Sequence, residues 1–225
     1  MGEISESKYI DETEAPDAER YKEIKPEGES KPEEARDYLD NLFKDEIADD
    51  EVFEVENPHQ EEIDGKMYYY DDNGKLYRVE NDLAPNSEYE INGYKYKTDD
   101  CGRIVSAEGV LHMKDREGRL PIKDSIENIG KGDQREGDDR GHLIGDQFDG
   151  SNGLENMIPQ DANINRNDFK NFENELAKEV KDGKEVYVKI EPVYDGDSRR
   201  PVAVVVTYSI DGEESMRFFP NGQEE

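Results

Sequence analysis

One of the three histidines lies in a segment suited to acid–base chemistry. His142 follows Asp-Arg-Gly in the segment DRGH, residues 139–142. Histidine accepts a proton near neutral pH, the arginine can hold a phosphate through two hydrogen bonds, and the glycine lets a bulky polyanion approach. The segment alone is also compatible with a hydrogen-bonded structural histidine. His59 and His112 occur in contexts that favour structural roles.

The segment that follows is dense in amide side chains and contains candidate metal ligands. Amides most often cap helices and close turns, but side-chain oxygens are also the ligands of Mg²⁺, which takes few from the protein and keeps several waters. Asn165 stands just before a predicted helix, and Glu173 lies about two turns further along it. A hairpin bearing His142 followed by this helix would place a base and a metal ligand around one phosphate.

These residues together resemble a known family. The order DRGH, Asn156-x-x-Pro159-Gln160, Ile164-Asn165 and Glu173 is similar to that of the DNA/RNA non-specific endonuclease family, which has the ββα-metal fold. The subgroup found at the C-termini of bacterial secreted toxins is the most similar. The similarity is strong from about residue 136 to 220 and weaker from about residue 83. The combination of motifs is far more specific than DRGH alone.

The resemblance implies a role for each site residue. His142 would be the general base that activates water, and Asn165 the direct ligand of Mg²⁺, with Mn²⁺ as the alternative ion. The other residues expected to serve catalysis are Arg140 as phosphate clamp, Glu173 as organiser of metal-bound water, and Asn156 as a group that shapes the site. Substrate binding is expected from Arg140, Arg166, Lys170 and Gln160, and Asp139 is expected to support the site from behind.

Two positions depart from the family pattern. Phe169 stands where many members have tryptophan, a change that we expect to alter packing only. Ala177 stands where some members have an arginine one turn after the glutamate, so we expect weaker stabilisation of transition-state charge.

The elements around these motifs predict an α+β fold with an antiparallel sheet. Hairpin turns are predicted at Asn73-Gly74, Asn92-Gly93 and Cys101-Gly102. Residues 167–183 have a helical apolar stripe, and 184–194 and 200–212 have the alternation of two long strands. We therefore predict a ββα-metal nuclease domain preceded by an acidic, partly helical segment.

Charge divides the chain into two parts. Residues 1–60 contain seven basic and 21 acidic side chains, and we expect them to form a largely flexible segment with one helix near 32–48. That helix would place Tyr38, Leu39, Leu42, Phe43 and Ile47 on one face. Residues 61–225 form the predicted endonuclease domain, with a strand-rich lead-in at 61–130 and a catalytic core at 131–220.

The net charge of −30 argues against nucleic-acid binding through the whole surface. Cleavage requires only a local positive site, which we place at Arg135, Arg140, Arg166 and Lys170, with a second patch at Arg199-Arg200. The alternative is an acidic DNA mimic, or an inhibitor-binding protein on an inactive nuclease scaffold. An intact base, phosphate clamp and metal ligand favour the enzyme. The acidic segment 1–60 could also shield the cleft.

The sequence therefore predicts a Mg²⁺-dependent endonuclease that hydrolyses DNA, RNA or both with little sequence specificity, in the manner of a secreted toxin module. An immunity or inhibitor protein is the expected partner besides nucleic acid. No apolar stretch reaches the length of a membrane span. Because the N-terminus MGEISESKYI lacks a basic and apolar leader, we expect a cytoplasmic protein or one exported by a non-classical secretion system.

Overall fold

The computed structural model describes residues 38–39, 41–43 and 59–222. Their fold is α+β, as predicted, with strands in three antiparallel sheets. The strands are β1 (His59–Ile63), β2 (Lys66–Tyr70), β3 (Leu76–Val79), β4 (Asp82–Leu83), β5 (Glu88–Ile91), β6 (Tyr94–Thr98), β7 (Ile104–Val110), β8 (Asp138–His142), β9 (Met157–Asp161), β10 (Val186–Val193), β11 (Ala203–Ile210) and β12 (Glu213–Pro220). The helices are α1 (Ile126–Gly130) and α2 (Lys170–Lys181); π-helical Ile164–Phe169 leads into α2, and 3₁₀ turns span Asp146–Phe148 and Leu154–Asn156.

The predicted hairpins are confirmed. β2 and β3 pair around Asn73-Gly74, β5 and β6 around Asn92-Gly93, and β6 and β7 around Cys101-Gly102. Asn92 and Gly93 have φ values of 54° and 77°. Two positive φ values in a row match the twist of flanking strands in a two-residue hairpin. The same geometry at Asp211-Gly212 joins β11 to β12, a strand that the sequence analysis did not predict.

The largest sheet supports the rest of the domain. Its strand order is β12-β11-β10-β7-β6-β5. Buried and half-buried residues alternate along the whole of β10, so one face of that strand enters the core. Helix α2 contributes Phe172, Leu176 and Ala177 to the same core, and Phe172 packs edge-on against Tyr208 of β11. The two long strands and the helix predicted from the sequence are thus confirmed.

The helix begins earlier than predicted. The apolar stripe indicated residues 167–183, whereas the helical backbone starts at Ala162 and continues through the π-helical turn Ile164–Phe169. A π-helix has the same sense as an α-helix but a wider turn, so residues 164–169 join α2 without a break. This places Asn165 inside the helical segment and not before it.

A small apolar cluster joins the chain near residue 40 to the lead-in sheet. Residues 38–39 and 41–43 are helical, and Leu39 and Phe43 are buried against Val79 and Ala84. Tyr38 is exposed, in contrast to its predicted place on the apolar face. The rest of the helix predicted near 32–48 lies outside the described residues. Among the described helices, none is long and apolar enough to cross a membrane.

Candidate active site

The DRGH segment forms strand β8 of a two-stranded hairpin. β8 pairs antiparallel with β9, with His142 opposite Met157. The π-helical segment begins three residues after β9, so the chain runs strand, strand, helix through the predicted site. A buried ion pair fixes the first residue of β8, since Arg200 donates to both carboxylate oxygens of Asp138 at 2.7 and 2.8 Å. The ββα order expected from the sequence is confirmed.

Asn156 holds the loop that follows His142. Its Oδ1 accepts a hydrogen bond from the Ile144 N–H at 2.9 Å, and its Nδ2 donates to the carbonyls of Ile144 and Ser151, both at 2.8 Å. The side chain is fully buried. Because its described partners are all backbone groups of Ile144 and Ser151, Asn156 holds this loop in place, which is compatible with the site-shaping role expected for it.

The first turn of the helical segment contacts the start of the DRGH motif. Asn165 donates from Nδ2 to Asp139 Oδ2 at 2.9 Å. Arg166 donates to both oxygens of the same carboxylate at 2.8 and 2.6 Å. Partial burial raises the pKa of Asp139, but the hydrogen bonds from Arg166 and Asn165 outweigh it, and the net pKa is lowered. Asp139 is therefore an anion that orients the Asn165 amide. It also forms an ion pair with Arg166, whose guanidinium was expected to bind substrate.

Two turns further along, Glu173 contacts the other end of the motif. Its carboxylate packs so closely on Gly145 that a Cβ at this glycine would collide with it. Burial raises the pKa of the Glu173 carboxyl to about 8, although the positive charge of Arg119 lowers it. No described residue donates a hydrogen bond to this carboxylate. Residues 139–145 are thus contacted at one end by Asn165 and at the other by Glu173, with His142 midway between.

His142 is held in its neutral form. Its side chain is only 7% exposed. Burial, followed by the nearby positive charge of Arg119, lowers the pKa of His142 from 6.5 to about 4, although the negative charge of Asp146 opposes the shift. A neutral imidazole has a lone pair available to accept a proton, as a general base requires.

Arg119 is a candidate site residue that the sequence analysis did not name. It is exposed in the loop between β7 and α1, and it is the nearby cation that acts on the pKa values of both His142 and Glu173. Arg119 makes no hydrogen bond or ion pair with any described residue. The segment KDREGRLPIK at 114–123 contains four basic residues close before DRGH, and that density was the available signal.

The remaining predicted substrate-binding residues occupy different environments. Arg140 is exposed and donates to the carbonyls of Asp124 and Ile122 at 3.0 and 3.4 Å, with no carboxylate partner among the described residues. Lys170 is exposed at the first residue of α2. Gln160 is 1% exposed and packs behind Gly141, so it lies beneath the hairpin and not on its open face.

The second basic patch expected at Arg199-Arg200 is not formed. Arg200 is buried and paired with Asp138. Arg199 donates to the backbone carbonyls of Cys101 and Gly102. Both guanidinium groups thus join chain segments together.

The two departures from the family pattern can be placed in the structure. Phe169 is buried and packs edge-on against Phe219 of β12, which agrees with a change of packing alone. Ala177 is also buried in the main core. The position at which some members have arginine therefore faces the core, and Arg119 is the cation next to Glu173 in this chain.

The donor atoms at this site suit a hard divalent cation. Because the Asn165 amide nitrogen is bound to Asp139, the amide oxygen points elsewhere, and no described residue donates to it. The Glu173 carboxylate likewise has no described hydrogen-bond donor. Mg²⁺ prefers amide and carboxylate oxygens and keeps several of its waters. The residues present therefore fit the ion.

Comparison with known proteins assigns the chain to a class. The sequence model described as DNA/RNA non-specific endonuclease matches residues 85–212, more than half of the chain. The chain belongs to this family and is a nuclease by class. The Type VII secretion system protein EssD of Staphylococcus aureus strains USA300 and NCTC 8325 / PS 47 is 36% identical to it over 149 residues. The match covers 60% of this chain but only 23% of each EssD protein.

Solved structures of NucA from Streptococcus agalactiae are also similar to the chain. The form with no metal bound has a TM-score of 0.43 at 17% identity and covers 86% of this chain and 91% of its own. The form with a magnesium ion bound has a TM-score of 0.44 at 16% identity and covers 86% and 92%.

Proposed function

We propose that this chain is a Mg²⁺-dependent endonuclease that hydrolyses phosphodiester bonds of DNA or RNA with little sequence preference. The observation that carries the proposal is the grip of the helical segment on residues 139–145, through Asn165 at one end and Glu173 at the other. Along the chain, a neutral His142 lies between these two contacts, and Arg119, whose positive charge acts on both His142 and Glu173, makes no ion pair with a described residue. A base, hard ligands and a free cation at one place are the parts that phosphodiester hydrolysis needs.

His142 supplies the base. Its neutral imidazole takes a proton from a water molecule as the water oxygen bonds to phosphorus, and the bond from phosphorus to the 3′ oxygen breaks. Because burial already keeps the pKa of His142 near 4, the ring is unprotonated across the neutral range. The departing 3′ oxygen takes a proton from solvent water and the imidazolium gives its proton back to solvent, so the products are a strand with a 5′ phosphate and a strand with a 3′ hydroxyl.

The protein would stabilise the developing negative charge with a few exposed cations. Arg119 acts on both His142 and Glu173 and has no described partner to give up. Arg140 and Lys170 are exposed on the hairpin and at the start of α2. Arg166 would contribute less, since Asp139 already neutralises it. Contacts to phosphates alone carry no base readout, which supports cleavage with little sequence preference.

Asn165 would hold the metal ion through its amide oxygen, and Glu173 would accept hydrogen bonds from metal-bound water. When bound, Mg²⁺ supplies positive charge opposite the phosphate oxygens and the leaving oxygen. Asp139 orients the Asn165 amide from behind. Mn²⁺ has similar ligand preferences and is the expected substitute.

The biological setting proposed is that of a toxin module exported by a non-classical route and kept inactive in its producer by an immunity protein. The similarity to a secretion-system protein supports this. The site lies in the part of the chain that the family match covers.

The direct test is cleavage of plasmid DNA and of RNA by the purified chain, with Mg²⁺ or with EDTA. His142→Ala and Asn165→Ala should each lower cleavage by about a hundredfold or more. His112→Ala and Asn167→Ala are matched controls, because His112 and Asn167 are exposed and their side chains are hydrogen-bonded to Tyr94 and Asn163 respectively, neither of which is a proposed site residue. Both controls should cleave like the unaltered chain.

The outcomes separate the competing assignments. Persistent cutting by His142→Ala would remove the base assignment, and cutting in EDTA would remove the metal requirement. An unaltered chain that binds the basic groove of a nucleic-acid-binding protein and cuts neither DNA nor RNA would favour the DNA-mimic alternative.

A further inference from the structure

A single carboxylate holds the loop that bears Arg119. Asp146, in the 3₁₀ turn just after DRGH, accepts hydrogen bonds from Lys114 Nζ, from Arg116 Nη2 at 2.6 Å and from the Leu120 N–H at 3.2 Å. We name residues 114–120 the arginine loop. Its other described links to the same 3₁₀ region are the Lys114 N–H to the Gln147 carbonyl at 3.1 Å and Arg116 to Asp149 at 3.3 Å.

The loop is also closed on itself, on both sides of Arg119. The residue before it, Gly118, accepts hydrogen bonds at its carbonyl from Lys114 and Arg116. The residue after it, Leu120, donates its backbone N–H to Asp146. The backbone is therefore fixed immediately before and after Arg119, while the Arg119 guanidinium makes no hydrogen bond or ion pair with described residues. The loop presents one free cation and uses two others to hold its shape.

We propose that Asp146 is a positioning residue. By pairing with Lys114 and Arg116 it fixes the arginine loop, and it thereby places Arg119 beside His142 and Glu173. The inference deepens the proposed nuclease function and rests on it for its catalytic consequence. A carboxylate close to a phosphate-binding site would otherwise be costly, because it repels the substrate. The positive charges of Lys114 and Arg116 offset this repulsion, and the ion pairs hold the loop in a preformed conformation.

Two interpretations of Asp146 predict opposite effects of Asp146→Asn on cleavage. If it acts only as a nearby negative charge, then Asp146→Asn should improve cleavage, because less charge repels the polyanion. If it positions Arg119, the same change should lower kcat by about tenfold or more, since small misplacement of a catalytic cation is expensive. Glu117→Gln is the matched control: Glu117 is exposed on the same loop, and no described residue is bound to its side chain. It should leave kcat within about twofold.

A double-mutant cycle tests whether the effect passes through Arg119. Asp146→Asn should cost about tenfold in the unaltered chain but less than about twofold in the Arg119→Ala background, because the positioned group is then absent. Arg116→Gln removes part of the same contact from the loop side and should give the same pattern, which covers the case in which Asp146→Asn fails to fold. Equal losses in both backgrounds, or a gain in activity like that of simple charge removal, would overturn the proposal.

A measurement without catalysis separates this inference from the nuclease proposal. Hydrogen exchange at the Leu120 amide should be accelerated by about tenfold or more in Asp146→Asn, and unchanged in Glu117→Gln. Accelerated exchange in a chain that cuts no nucleic acid would support the role of Asp146 in holding the arginine loop. It would overturn the nuclease function and the role of Arg119 in that function. Unchanged exchange in Asp146→Asn would show that Asp146 does not hold the arginine loop, whether or not the chain cuts nucleic acid.

Discussion

The titration of His142 links the proposed site to the acid stability of the whole domain. Burial lowers its pKa from 6.5 to about 4. Between these two pH values the unfolded chain binds a proton at this residue and the folded chain does not. The free energy of unfolding therefore decreases as the pH falls from 6.5 towards 4, and the contribution is intact above 6.5.

The size of this effect follows from the shift. One pKa unit corresponds to about 1.4 kcal/mol of difference between the protonation states. A pKa lowered from 6.5 to about 4 therefore removes about 3 kcal/mol of stability by pH 4. This is a large fraction of the 5–15 kcal/mol (roughly) that stabilises an ordinary domain.

The assay is urea unfolding of the unaltered chain and of His142→Gln at pH 4 to 8. Many carboxylates titrate over part of this range, but both proteins share them, so the difference between the two isolates residue 142. We expect His142→Gln to gain about 3 kcal/mol relative to the unaltered chain between pH 7 and pH 4. An NMR titration of the imidazole, assigned with the same variant, should give the folded pKa directly.

The outcome that refutes this reasoning is a ring that titrates near 6.5 in the folded chain, together with a stability difference that does not change with pH. The acid limb of kcat/KM should follow the same group in the free enzyme. It should lie well below pH 6 at constant Mg²⁺, and a limb near 6.5 would again contradict the burial argument.

Two further predictions concern Glu173 and Asn156. Because the pKa of Glu173 is raised to about 8, its carboxyl must lose a proton to serve the metal site, so Mg²⁺ affinity measured by calorimetry should rise with pH through 8; Glu173→Gln should remove this rise, and a rise that persists in the variant would assign it to another group. Asn156→Ala leaves three buried backbone groups of Ile144 and Ser151 without their partner and should destabilise the fold by about 3 kcal/mol or more in urea, against about 1 kcal/mol for Asn152→Ala, which loses one hydrogen bond to Pro121. Equal losses in the two variants would show that Asn156 does not hold the loop.

The hairpins, and the spacing of about two helical turns between Asn165 and Glu173, could be predicted from the sequence because both are local. Asn-Gly turns and alternating apolar residues set β2–β3, β5–β6 and β10–β11 by geometry within a few residues. Strand β12 was missed, although Asp211-Gly212 carries the same turn signal, because its strand is mostly exposed and lacks apolar alternation. The π-helical start at Ile164 was missed because the apolar stripe marks packing and not the width of the turn.

The charged residues of the site could be selected from the sequence but not assigned their partners. The sequence does not distinguish the four arginines Arg140, Arg166, Arg199 and Arg200. In the structure, however, Arg200 is buried and paired with Asp138, and Arg166 is paired with Asp139. These two pairs join residues 27 and 62 positions apart. No local pattern specifies which distant carboxylate an arginine will meet.

The sequence by itself determined the chemistry available to this protein: a histidine, an asparagine and a glutamate in the order and spacing of a metal-dependent nuclease, on a hairpin followed by a helix. The tertiary structure alone decided how that chemistry is set. It buries His142 enough to keep it neutral, turns Asn156 and Gln160 inward beneath the hairpin, and brings Arg119 in from a loop more than twenty residues earlier. Burial and charge at a point depend on every segment that packs there, and this is why they follow from the fold and not from the motif.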